Sequence, residues 1–87
     1  MSKLITEVVK NNLNLFDNVQ VIMHDRTIDG IISDMEFMKR LSIEDDIKTI
    51  SFIPIYYVST LVGVVRCKEE VNESGTISLV YIDKVEK

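Results

Sequence analysis

The residues able to do chemistry are present in this 87-residue chain, but they are not grouped for it. Ser33, Ser42, Ser51, Ser59 and Cys67 share a single histidine, His24, and none stands in a nucleophile motif. Cys67 lies between Arg66 and Lys68, whose charges would lower a thiol pKa. With no base assigned to it, one cysteine in a charged stretch reads as a bystander. His24, Asp25 and Asp29, and the run Glu44-Asp45-Asp46, are the places where a hard cation would look for oxygen ligands. Such a site needs several carboxylates converging from fixed spacing, and the EF-hand spacing does not occur. Gly30, Gly63 and Gly75 are isolated, so no glycine loop cradles a phosphate. These patterns point to a non-enzyme that holds no metal and no cofactor.

Binding chemistry remains. Single-stranded RNA is recognised by cations for phosphate and flat faces for bases. Arg26, Lys39 and Arg40 supply the first kind of group, and Phe37, Tyr56 and Tyr57 the second. Fourteen acids against ten bases give a net charge of −4, which opposes whole-molecule attraction to nucleic acid and makes a local basic patch necessary. A ring of subunits would multiply a few basic side chains into such a patch. The competing reading places the tyrosines in the barrel wall or a subunit interface and leaves the bases as surface groups. The apolar fraction of 46% exceeds what one small core absorbs, which points to a homo-oligomer or to another protein as partner. A protein-interaction adaptor or small regulator is therefore the alternative to an RNA-binding role.

The elements that must position these residues form a single domain over residues 1–87. Ser2 caps an expected N-terminal helix over about 3–13, with Leu4, Ile5, Val8, Val9 and Leu13 on one stripe and Leu15 and Phe16 tying its end to the core within 1–16. From residue 18 the pattern turns to short strands. Asn18–His24 alternates, with Val19, Val21 and Met23 on one face and Gln20, Ile22 and His24 on the other. After Asp25-Arg26 a second strand runs over Thr27–Phe37, and Gly30 within it suggests a sharp bend or bulge. A third covers about Arg40 to Glu44. A fourth, Ile47–Ile55, is broken by the only proline, Pro54, and a fifth spans Tyr57–Val65. Helix plus five bent antiparallel strands over 18–65 is the plan of a small closed barrel. Residues 66–87 follow as a charged loop, Arg66–Gly75, and an edge strand, Thr76–Ile82, or as an appended hairpin from Cys67.

The stretch from about 4 to 62 resembles the Sm-like superfamily, which includes archaeal and eukaryotic Sm and LSm proteins and bacterial Hfq. The residues that carry the resemblance are NVQVIM, the turn HDRT, IDGII with Gly30, Glu36, the short strand Leu41-Ser42-Ile43, the pair Ile53 and Val58, and YVSTLV. The resemblance implies an Sm-like barrel, an oligomeric RNA-binding or RNA-chaperone role, and an RNA pocket at the subunit interface. Arg40 stands where that family usually has Asn, Met38 or Lys39 falls near the stacking position, and the family's Arg-Gly or Lys-His step falls on Pro54-Ile55 or Ile55-Tyr56. Ile53, Ile55, Val58 and Leu61 are the expected subunit contacts. The one cysteine fits a reducing cytoplasm. No apolar run reaches the roughly 18 residues of a membrane span, and charged residues come too early at the N-terminus for a signal peptide.

Overall fold

The computed structural model describes residues 3–85 as six strands: β1 (Lys3–Val8), β2 (Asn18–Ile22), β3 (Thr27–Glu44), β4 (Ile47–Thr60), β5 (Gly63–Val71) and β6 (Ile77–Lys84). The hydrogen-bonded order is β1-β4-β3-β2-β6-β5, and β5 pairs back onto β4, so β2 to β6 close into a ring. Five strands that run up and down alternately bring the first and last together in the same direction. The closing pair β2–β6 is accordingly parallel and short, Val21 opposite Leu79 and Ile22 opposite Val80. The sheet is thus mixed, not antiparallel throughout.

No helix occurs among the described residues, and the expected N-terminal helix is a strand. β1 pairs in parallel with the first half of β4, from Lys3 opposite Ile47 to Val8 opposite Phe52. An isolated helix of about ten residues is marginal in water, and Ile5, Thr6, Val8 and Val9 are all β-branched. A free strand edge therefore wins this segment. The Ser2 cap lies outside the described residues, and Leu15 and Phe16 are exposed instead of tied to the core.

Pro54 does not break β4. It sits where one edge of the strand changes partner: β1 serves residues 47–52 and β5 serves 55–60, while β3 is zipped along the other edge throughout. The Phe52 carbonyl accepts from Val9 N–H on the shared edge. Two residues on, Pro54 offers its missing N–H to that same edge, at the gap where nothing needs it. The expected second and third strands are one, β3, and the expected fourth and fifth are one, β4, with the reversal at Leu61-Val62. Thr60 Oγ1 donates to Gly63 O at 2.7 Å there, and Gly63 at φ 113° makes the left-handed residue of the turn. Arg66–Val71, read from sequence as loop, is part of strand β5.

The core is formed by Val21, Ile32, Tyr56, Val58, Val65, Cys67 and Leu79, all buried, with Leu13, Val19, Met23, Ile28 and Met35 packed on it. A bulge between Ile32 and Asp34 sets the face of everything beyond it. Before the bulge Ile28 and Ile32 point inward; after it the inward set is Met35, Phe37, Lys39, Leu41 and Ile43. Ser33 Oγ donates to Tyr57 O at 3.2 Å across the irregularity. Gly30 lies just before the bulge and serves close approach: a Cβ there would collide with Val58 Cγ1 and sit 2.8 Å from the Ser59 carbonyl oxygen. Gly30→Ala is expected to lower stability by about 1–3 kcal/mol through overpacking, read as a lower denaturant midpoint with an unchanged slope.

Candidate functional site

Beyond the bulge the β3–β4 hairpin leaves the barrel and, with β1 added, projects as a three-stranded arm. Register assigns its two faces. Leu4, Val8, Phe37, Leu41, Ile43, Ile50 and Phe52 lie on the side that continues the barrel core, interrupted by Thr6, Lys39 and Lys48. Glu7, Arg40, Ser42, Glu44, Thr49 and Ser51 lie on the other, together with the apolar Ile5, Met38, Ile47 and Ile53. Past Met35 and Tyr56 burial on the first side falls off, from buried Pro54 through half-buried Phe52 and Ile50 to the ends of the arm. Leu4, Val8, Leu41 and Ile43 are 62, 67, 58 and 63% exposed. At the tip, Asp45 and Asp46 both take positive φ, 48° and 63°, as a two-residue hairpin turn requires.

A polar lock holds the root of the arm to the barrel. The Tyr56 ring is fully buried. Its hydroxyl donates to Glu69 Oε1 at 2.5 Å and accepts from Leu13 N–H at 3.3 Å. The same carboxylate accepts from Asn12 N–H at 2.9 Å and Asn12 Nδ2 at 3.0 Å. One acid on β5 thus fixes the β1–β2 connection across the end of the barrel. Burial, then Glu69, push the Tyr56 pKa up to about 12.

On the outer wall a second row runs across four strands. Arg66 forks onto Asp83, with Nε to Oδ1 at 2.7 Å, and its guanidinium lies 4.0 Å from Glu36. Hydrogen bonding to Arg66 holds Asp83 below the usual carboxylate range, and hydrogen bonding to Glu36 raises the Tyr57 hydroxyl. Cys67, far from being activated by its basic neighbours, points into the core, where burial pushes its pKa up to about 12. Arg66 and Lys68 alternate to the outside of the strand, which a loop reading of this stretch conceals.

The six residues considered for RNA are dispersed. Phe37 and Lys39 share the apolar side of the arm, and Arg40 is on the other. Tyr56 is inside the barrel and Tyr57 is in the outer row with Arg66. Arg26 sits in the β2–β3 turn, and the stretch of chain from there to Lys39 spans on the order of 40 Å if extended. Of the four expected subunit contacts, Ile55 and Val58 are buried within the chain, Ile53 is half-buried, and Leu61 is fully exposed at the β4–β5 turn. Among the described residues no three His, Cys, Asp or Glu side chains converge on a metal position, and no helix is long and apolar enough to cross a membrane. Sequence does not single out Glu69, because nothing in the run KEE marks which acid faces inward. Comparison with protein-family models, curated proteins and solved structures returned no match.

The folded chain holds the Tyr56 proton more tightly than the unfolded chain, whose tyrosine titrates near its ordinary value of 10.0. The stability this contributes is intact below that value and lost as pH rises through about 12. Tyr56→Phe is expected to cost about 1–3 kcal/mol at neutral pH and to shrink the alkaline loss. An alkaline unfolding profile identical in both chains would exclude Tyr56 as the group that titrates.

Proposed function

We propose that this chain is a non-catalytic protein-interaction module that works as an oligomer, with the barrel as anchor and the arm as the contact element. The observation that carries the reading is surplus surface. A folded monomer of 10.0 kDa exposes about 5,200 Å², whereas this chain exposes 6525 Å². The surplus of roughly 1,300 Å² exceeds the ~800 Å² that each partner buries in a standard interface. The radius of gyration, 14.9 Å, likewise exceeds the ~12 Å of a compact chain of this length. The arm contributes to this excess, with Leu4, Val8, Leu41 and Ile43 all more than half exposed. The buried, protonated Cys67 supports a non-catalytic role in a reducing cytoplasm.

The RNA-binding reading draws its support from Phe37 and Lys39, a half-exposed ring and a cation on one face. One pair of measurements separates the two. Light scattering over a concentration series is expected to give a mass above 10.0 kDa that falls on dilution. A monomer at every concentration overturns the proposal. Titration of labelled single-stranded RNA at low and moderate salt is expected to show no binding at micromolar protein. Salt-dependent affinity that Lys39→Ala and Arg40→Ala weaken would replace the proposal with the RNA role.

A further inference from the structure

The arm carries a self-complementary edge. β3 pairs with β2 only as far as Ile31, so from Asp34 to Glu44 its edge away from β4 has no strand beside it among the described residues. On β4, the carbonyls of Asp46 and Phe52 serve β1, so the even-numbered residues there turn away from β3. Alternation along the ladder then aims the even residues of β3, Arg40 and Ser42, at β4. The backbone groups of Lys39, Leu41 and Ile43 are left facing outward. An edge with this many open donors and acceptors is a template for another strand.

Its sequence says which strand fits. Lys39-Arg40-Leu41-Ser42-Ile43-Glu44-Asp45 inverts in charge about Ser42: two cations, an aliphatic residue, serine, an aliphatic residue, two anions. We infer that β3 pairs antiparallel with β3 of a second copy of this chain about a two-fold axis at Ser42. Arg40 then stands opposite Glu44 of the second copy, Leu41 opposite its Ile43, and Lys39 beside its Asp45, each twice by symmetry. The backbone groups of Leu41 and Ile43 face the open edge, so the pairs they form around the axis exchange backbone hydrogen bonds in register. Registers centred on Arg40 or on Lys39 would set that cation against itself. Within one chain these charges have no such outlet. Arg40 and Glu44 lie four residues apart on a strand, about 13 Å, and the ion pairs among the described residues all belong to Arg66. The product is a continuous six-stranded sheet, β1-β4-β3 joined to its symmetry copy, with the barrels at opposite ends.

The pairing rests on the oligomeric reading above and goes further in naming the edge and register. Arg40→Glu and Glu44→Arg are each expected to weaken self-association about tenfold or more, because each sets like charges opposite one another twice. Both should keep the wild-type circular dichroism spectrum. Mixed one to one, the two variants are expected to regain association as a heterodimer. Positions 40 and 44 are both acidic in the first variant and both basic in the second, so every facing pair across the axis is again of opposite charge. Hydrogen exchange at the Leu41 and Ile43 amides is expected to slow with protein concentration. Association that neither variant disturbs, or that mixing does not restore, overturns this register and leaves the oligomeric reading standing. A wild-type chain that stays monomeric overturns both.

Discussion

The structure depends on how β4 divides its edge. One side is given to β3 without interruption, and the other passes from β1 to β5 across Ile53-Pro54. Proline is the one residue that loses nothing at that gap, because the N–H it lacks would have found no acceptor. The changeover defines two territories on a single pair of strands. On the β5 side the sheet curls, closes and buries Tyr56 and Val58; on the β1 side it stays open and shows both faces. Barrel and arm are consequences of where one strand exchanges neighbours.

Polar groups near this junction hold it together. The Glu69 carboxylate takes the Tyr56 hydroxyl and two donors from Asn12, which sets the path of the chain from β1 to β2. Arg66 is taken by Asp83 on the neighbouring strand. The connection is also held by a turn in which Phe16 takes φ 71° while its N–H donates to Ile32 O at 2.8 Å. An aromatic residue in that conformation costs about 1–2 kcal/mol. The surrounding bonds to Ile32 and Asp17 supply the compensation. Groups that look available for chemistry in the sequence, Cys67 and Tyr56 above all, are structural.

The arm is the opposite case. It buries few side chains and, among the described residues, has open edges on both β1 and β3, so it is the part with least of its own stability and most to gain from a partner. Its apolar side is continuous with the core because the bulge at Ser33 shifts the alternation of β3 by one. Without that extra residue, Phe37, Leu41 and Ile43 would face the same way as Glu7 and Thr49, away from Leu4, Val8, Ile50 and Phe52.

Local pattern in the sequence is enough for most of the strand content between Asn18 and Val65, for the shared face of Val19, Val21 and Met23, for the reversal at Glu44-Asp45-Asp46 and for an excess of apolar residues over one small core. These are short-range properties: alternation, β-branching and turn chemistry act within a few residues. The N-terminal segment reads as a helix because Leu4 to Leu13 satisfies a helical stripe and a strand alternation together. The choice belongs to the free edge of β4, a pairing between segments far apart in the chain. The inward turn of Cys67 and Glu69 is hidden for a similar reason, since a strand so charged is recognisable only by its neighbours β4 and β6. Which residues share a face across the Ser33 bulge, and which apolar side chains stay uncovered, was decided by tertiary structure alone. Both depend on pairings between distant segments, and a bulge shifts every later residue without leaving a mark of its own in the sequence.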